Sequence, residues 1–162
     1  MKKRIRIFIS YAHKNHVSAL DFVERFEDYS NCSKTYDYTF WSDTALEIGS
    51  KWKDEIEKRL KDSDCSLLLL SSAFLNSEFI KNVELPALMQ PGKILLPVGL
   101  GRLNLDRHDL LGLDEFQIYR YFNSHISKFQ YYNELRSDDT KENFIDDLFV
   151  KMEERLDAAG RK

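Results

Sequence analysis

Along the chain, short apolar segments, the first of them rich in β-branched residues, alternate with longer segments whose apolar residues recur every three or four positions. The first pattern predicts strands and the second predicts amphipathic helices. Five segments fit the strand pattern: residues 5–11, 38–42, 65–71, 94–98 and 116–119. Helices are predicted over residues 17–29 and 51–61, in a stretch that ends near residue 89, and in a closing helix over about residues 140–158.

Because strands and helices alternate, the predicted fold is α/β, with a central five-stranded parallel sheet and helices on both faces. Residues 65–71 form a continuous apolar run, as expected of a strand buried on both faces. In such sheets, ligands bind beyond the carboxyl ends of the strands. That rule nominates residues 10–14, 43–49 and 71–84 as ligand-binding segments. Residues 120–139 show no clear period and are predicted to be an irregular insertion.

The 162 residues, with a mass of 19.2 kDa, are expected to form a single domain over residues 1–162, with its core at about residues 4–119. The 24 basic and 27 acidic residues give a formal net charge of −3, which argues against nucleic-acid binding through bulk electrostatics. No apolar run approaches the roughly 18 residues of a membrane span, so no membrane association is expected. Cys32 and Cys65 lack a CxxC pattern and are interpreted as free thiols of a cytoplasmic protein.

Common catalytic and cofactor-binding motifs are absent from the sequence. A phosphate-binding loop needs a glycine-rich pattern, but Gly99 and Gly101 form the only close pair, and Asn104 stands where a third glycine belongs. His13 and His16 have no Cys or acidic partner nearby, so no metal site is predicted. The sequence also contains no GxSxG nucleophile elbow.

One carboxylate lies just beyond the third predicted strand. Glu84 stands between Val83 and Leu85, and Pro86 follows. Proline is tolerated in the first turn of a helix and disrupts its interior. Pro86 therefore indicates either that a helix begins near Val83 or that a longer helix is kinked there. From the residues alone, Glu84 is either a surface glutamate stabilised by a helix N-terminus or a functional carboxylate near the expected cleft.

Several segments together resemble the TIR (Toll/interleukin-1 receptor) domain in its bacterial form. They are Arg-Ile-Phe-Ile-Ser-Tyr-Ala at residues 6–12, Phe-Trp-Ser-Asp at residues 40–43 with Leu-Glu-Ile-Gly at residues 46–49, the glutamate-bearing stretch at residues 70–86, and Ile-Leu-Leu-Pro-Val at residues 94–98. They occur in the family's order over about residues 4–119. The resemblance implies a flavodoxin-like TIR fold.

The sequence departs from the family pattern at two positions. Many active members carry a tryptophan four residues before the glutamate, where this chain has Ile80, with Phe79 beside it as a substitute aromatic platform. The family's opening segment often ends in histidine, where this chain has Tyr11. These changes concern how a base would stack and not where the site lies.

The resemblance implies cleavage of NAD+ between nicotinamide and ribose, giving ADP-ribose or a cyclic isomer, with NAD+ as substrate and no bound cofactor. Glu84 is implied as the catalytic carboxylate. Substrate contacts are implied for eight residues: Ser10, Tyr11, Ala12, Asp43, Gly49, Ser72, Phe79 and Ile80. For Asp43, closing a turn is an equal alternative. Activation by self-assembly and a role in bacterial antiphage defence or signalling are also implied.

Two other functions stay open at this stage. The chain could be a non-catalytic module that only associates with itself or with other TIR domains; the missing aromatic residue at position 80 favours this function, and Glu84 opposes it. It could also be a related transferase that acts on nucleosides with the same carboxylate.

Overall fold

The computed structural model describes residues 1–42 and 52–160, without the side chain of Trp52. The strands are β1 (Lys3–Ser10), β2 (Tyr36–Ser42), β3 (Cys65–Leu70), β4 (Ile94–Gly99), β5 (Tyr121–Asn123) and β6 (Lys128–Gln130). The α-helices are α1 (His16–Ser30), α2 (Trp52–Asp62), α3 (Ser72–Asn76), α4 (Leu85–Leu88) and α5 (Asp138–Gly160). Within these ranges, no helix has the length and apolar character needed to cross a membrane.

The first four strands form one parallel sheet in the order β2-β1-β3-β4. Near its centre, Ile7 of β1 pairs with Phe40 of β2 on one side and with Cys65 of β3 on the other. The α/β class and the parallel sheet are therefore confirmed. The predicted five-stranded sheet is wrong, because the sheet in the described part of the chain has four strands.

The predicted fifth strand, residues 116–119, is reduced to one parallel bridge between Tyr119 and Val98. The N–H of Tyr119 donates to the carbonyl of Pro97, and the N–H of Gly99 donates to the carbonyl of Tyr119, both at 2.8 Å. Because the N–H and C=O of a strand residue point to the same side, Pro97 faces this segment without an N–H to donate. The ladder therefore stops after a single bridge.

Residues 120–139, expected to be irregular, contain regular structure. Strands β5 and β6 form an antiparallel hairpin in which Phe122 pairs with Phe129, with ring centroids 5.1 Å apart. A 3-10 turn at Tyr132–Glu134 then leads towards α5. Sequence periodicity could not reveal this hairpin, because each strand has only three residues.

Side chains of β1 alternate between two cores. Ile5, Ile7 and Ile9 pack with residues of α1 and α5, and we call this side the α1/α5 face. Phe8 packs on the opposite side with residues of α2, α3 and α4, which we call the α2/α4 face. Helices therefore cover both faces of the sheet, as predicted. The apolar run of β3 is buried throughout and contributes to both cores.

Candidate functional site

One buried hydrogen bond joins the carboxyl end of β1 to the helical segment that follows β3. The Oγ of Ser10 donates to Oε2 of Glu84, 74 positions later in the sequence. Both residues are only 2% exposed. The bond places a carboxylate beside the end of a central strand, which is where parallel α/β sheets bind their ligands.

Glu84 reaches this position through a π-helical turn. Residues 78–88 are helical, and within them Ile80–Glu84 form a wider turn in which the N–H of Leu85 donates to the carbonyl of Ile80. Pro86 lies in the first turn of α4. The structure therefore agrees with a longer, interrupted helix rather than one that begins near Val83. Single π turns inside helices are frequent at functional sites.

Glu84 occupies a position where helix periodicity calls for an apolar side chain. Ile80, Leu85 and Leu88 of the same helical segment are buried in the core of the α2/α4 face, and Glu84 is buried to the same degree. The interpretation of Glu84 as a surface glutamate is therefore wrong. Because burying a carboxylate costs free energy, a buried one at the ligand-binding edge of a sheet is a functional candidate.

The other residues implied for the site lie at different depths around this pair. Tyr11 is buried in the core of the α1/α5 face, and Ala12 is buried in the core of the α2/α4 face. Ile80 is 2% exposed, whereas Phe79 is half-buried against the α2/α4 core. Of the two residues at the expected stacking position, only Phe79 therefore has surface to offer a ligand.

The structure does not bring Ser72 into this group. Ser72 is exposed at the start of α3 and lines a separate cavity of about 200 Å³ together with Lys81 and His108. Asp43 and Gly49 lie outside the described residues. The core of the candidate site is therefore the pair Ser10 and Glu84.

A second hydrogen bond links the segment after β1 to the segment after β3, and sequence reasoning missed one of its two partners. The Oγ of Ser71 donates to Oδ1 of Asn15 at 2.5 Å and accepts the N–H of Phe74 at 3.0 Å, which caps α3. In the sequence, the only local sign of this contact is Ser71 itself, because a serine before a short helix is a typical N-cap. Asn15 carries no signal, because its partner lies 56 positions away. The contact fixes the loop after β1 against the loop after β3.

The pair suits one kind of chemistry. A carboxylate can accept hydrogen bonds from a ligand's hydroxyl groups and stabilise positive charge that develops beside it. The hydroxyl of Ser10 engages one carboxylate oxygen and so orients the group. Across the described ranges, no three His, Cys, Asp or Glu side chains are grouped in a way that could hold a metal ion.

A family model for the TIR domain matches residues 7–143. The chain belongs to the TIR domain family. The match extends from β1 into α5, so Ser10 and Glu84 both lie within the TIR domain, and the resemblance inferred from the sequence is confirmed. No curated protein matches the chain at a significant level.

Proposed function

We propose that this TIR domain cleaves NAD+ between nicotinamide and ribose, with Glu84 as the catalytic carboxylate. The observation that carries the proposal is the buried hydrogen bond between Ser10 and Glu84 at the carboxyl end of a central strand. Membership of the TIR family supports NAD+ as the substrate, because the family includes NAD+-cleaving enzymes.

A single carboxylate suffices for this reaction because of its leaving group. When the bond between the ribose anomeric carbon and the nicotinamide nitrogen breaks, the electron pair stays on nicotinamide, which leaves as a neutral molecule. It therefore needs no general acid, unlike an ordinary sugar leaving group. The ribose gains oxocarbenium character, which Glu84 stabilises through its charge and by accepting hydrogen bonds from ribose hydroxyls.

The intermediate is then captured on the ribose. Attack by water, with loss of one proton, gives ADP-ribose, and attack by a ring nitrogen of the same molecule's adenine gives a cyclic isomer. In this proposal Ser10 orients Glu84, and Ala12 and Phe79 contribute to the pocket wall. The proposal assigns further walls to Asp43 and Gly49, while Tyr11, Ser72 and Ile80 stay predictions of the family resemblance.

Substrate access also enters the proposal. Glu84 is only 2% exposed in the single chain, so NAD+ reaches it only after the groups that cover it are displaced. We assign this displacement to self-association of TIR domains, which predicts activity that rises more steeply than in proportion to protein concentration. The cytoplasmic location and the role in antiphage defence or signalling stay predictions.

The test measures the release of nicotinamide from NAD+ by chromatography, over a wide range of protein concentration. Glu84→Gln keeps the shape of the side chain and removes its charge, so turnover is expected to fall by at least about 100-fold. Glu78→Gln is the matched control, because Glu78 lies in the same helical segment with its side chain 79% exposed. Equal turnover by wild type and Glu84→Gln would contradict the proposal. The chromatogram also separates the linear product from the cyclic one.

A second function, association without catalysis, is favoured by a different observation. Val17 and Leu20, one helical turn apart on α1, are 73% and 48% exposed. Such neighbouring apolar side chains are typical of contact surfaces. If wild type forms oligomers in sedimentation, Val17→Glu abolishes them, and no nicotinamide appears at any concentration, the domain is an interaction module. Turnover of free nucleosides in preference to NAD+ would instead identify a nucleoside transferase.

A further inference from the structure

Arg120 is an unusual arginine, because aromatic rings contact its guanidinium and no acid in the described part of the chain forms an ion pair with it. Its guanidinium carbon lies 4.7 Å from the ring centroid of Phe129 and 5.8 Å from that of Tyr131. Its Nε is buried and has no hydrogen-bond partner. Within residues 1–42 and 52–160, no carboxylate lies within ion-pair distance of Arg120. A charge that is partly buried without a counter-charge calls for a physical explanation.

The surroundings of Arg120 are built to hold it in place. Tyr131 is buried, its hydroxyl donates to the carbonyl of Leu103 at 3.1 Å, and its N–H donates to Glu134 at 3.0 Å. Gly99 at the end of β4 makes room for both side chains: a Cβ there would lie 2.6 Å from a ring carbon of Tyr131 and 3.1 Å from Cγ of Arg120. The guanidinium is therefore seated before any ligand arrives.

Arg120 lines a cavity of about 890 Å³ between residues 102–108 and β6. Arg102 and Lys128 add two more cations to its wall, and Asp106 and Glu134 add two carboxylates. Glu134 is already engaged, since it accepts the N–H of Tyr131 and pairs with Arg102 at 3.6 Å. Among the described residues, the lining therefore holds three cations, Arg102, Arg120 and Lys128, against two carboxylates, Asp106 and Glu134, which leaves a surplus of one positive charge.

The cavity also has an apolar side. Phe129 and Ile126 line it and are 54% and 50% exposed, so both offer open surface to a planar group. The volume of about 890 Å³ far exceeds the space that a single phosphate ion needs and falls in the range of small-molecule sites. Neither Ser10 nor Glu84 contributes to this wall.

We propose that Arg120 binds the phosphate of a nucleotide-sized ligand in this cavity, at a site separate from Ser10 and Glu84. A guanidinium presents two parallel N–H donors that match phosphate oxygens, and aromatic contacts leave this planar fork intact. Lys128 supplies a second charge for the same group. The Phe129 ring, which the Arg120 guanidinium contacts and which is still 54% exposed, provides apolar surface for a base.

The probes are AMP, inorganic phosphate and adenosine, titrated into the full chain by calorimetry and followed by NMR at the amides of residues 102–108 and 128–131. AMP is expected to bind and to shift these amides. Adenosine and phosphate are each expected to bind at least about tenfold more weakly, because each lacks half of the recognised chemistry. Arg120→Gln should weaken AMP binding at least about tenfold. Arg107→Gln is the matched control. Arg107 is an exposed arginine within residues 102–108 that does not line the cavity, so its substitution should leave the affinity for AMP unchanged.

The proposal is overturned by no AMP binding at millimolar concentration, by equal binding of AMP and adenosine, or by an unchanged affinity in Arg120→Gln. Equal binding of phosphate and AMP would also overturn it, since the site would then recognise an anion only. If Arg120→Gln fails to fold, Arg120→Lys keeps the charge and loses the planar fork. The wild-type NMR map by itself also decides whether AMP occupies this cavity. None of these outcomes depends on whether Glu84 cleaves NAD+.

Discussion

Tyrosine hydroxyls bonded to carboxylates hold the α1/α5 face together, whereas the α2/α4 face, over the residues that the structure describes, packs apolar side chains around one buried carboxylate. On the first face, three tyrosines beside the sheet donate to α5 at 2.6–2.7 Å: Tyr36 to Asp157, Tyr38 to Glu153 and Tyr119 to Asp147. Two more pairs lie on the same face: Tyr29 with Asp146 and Tyr132 with Asp21. These hydrogen bonds attach the long helix α5 to the sheet side of the core along much of its length.

The α2/α4 face is built from shorter pieces. After β3 the chain forms α3 with five residues, a π-helical turn and α4 with four residues. The one hydroxyl–carboxylate pair that the structure gives there is Ser10 with Glu84, and both partners are buried. Short, irregular helices contribute less cooperative stability than a long one.

The same kind of hydrogen bond therefore serves two purposes. On the α1/α5 face the carboxylates lie at the surface, as with Asp147, whose side chain is 41% exposed, so water shares the cost of their charge. On the α2/α4 face the carboxylate of Glu84 is buried away from water, so its desolvation is not offset in this way. Proteins accept such a cost mainly at functional sites. We therefore infer that the hydrogen bonds of the α1/α5 face mainly stabilise the fold, and that the hydrogen bond of the α2/α4 face mainly serves the chemistry of Glu84.

The largest expected effect is on the stability of the α1/α5 face. Phe144 of α5 is fully buried, with its ring centroid 4.9 Å from that of Tyr119 and 5.2 Å from that of Tyr132. Phe144→Ala should lower the free energy of unfolding by about 3–5 kcal/mol, because it leaves a cavity. Urea unfolding followed by circular dichroism measures this. Val150→Ala on the exposed side of α5 is the control and should change it by less than about 0.5 kcal/mol.

The second prediction separates chemistry from stability on the α2/α4 face. Ser10→Ala removes the hydrogen bond to Glu84, so nicotinamide release should fall by roughly 10- to 100-fold, as for a hydrogen bond to a charged group. The far-UV spectrum should stay unchanged. Ser66→Ala is the matched control, because Ser66 is a buried β3 serine whose hydroxyl has no hydrogen-bond partner. Unchanged turnover in Ser10→Ala would mean that the hydroxyl does not orient the carboxylate.

The last prediction concerns a loss of stability at alkaline pH, in which the substitution that tests it removes only one of several contributing groups. The hydrogen bond to Asp146 raises the pKa of Tyr29 from 10.0 to about 12, and burial raises the pKa of Tyr38 and Tyr119 further above the ordinary value. Burial also raises the pKa of Cys65 from 9.0 to about 12. The unfolded chain releases these protons near pH 9–10, but the folded chain keeps them, so stability should fall as pH rises from about 9 towards 12.

Melting temperatures between pH 7 and pH 12 measure this loss. Tyr38→Phe should make the decline shallower, because one of the retained protons no longer exists. The control is Tyr121→Phe, since Tyr121 of β5 is half-buried and its hydroxyl donates to no carboxylate within residues 1–42 and 52–160. A melting temperature that stays flat up to pH 12 would contradict the assignment of the tyrosine–carboxylate pairs to stability.

Much of the sheet could be predicted because its signals are local. The apolar run at residues 65–71 identified β3, and the spacing of Phe144, Leu148, Met152 and Leu156 identified α5. The prediction of a fifth strand was wrong for a physical reason. Residues 116–119 have the pattern of a strand, but Pro97 on the neighbouring strand β4 has no N–H to donate to them. Whether a segment joins a sheet depends on its partner as well as on its own composition.

The site shows the same division. The sequence indicated that Glu84 follows a buried strand at the ligand-binding edge, and family resemblance implied its role. It could not show that Glu84 is buried or that Ser10 donates to it, because 74 positions separate the two. The setting of Arg120 was equally hidden, since it depends on Phe129, Tyr131 and a glycine on another strand.

By itself, therefore, the sequence determined the α/β class, the order of the main elements and the neighbourhood of the carboxylate. These follow from hydrophobic periodicity and from residues close together in the chain, which act within one strand or one helical turn. Only the tertiary structure decided which strands pair, which carboxylates are buried and which hydroxyl reaches each of them. Those contacts join distant segments, and they form only when packing of the whole core brings the segments together.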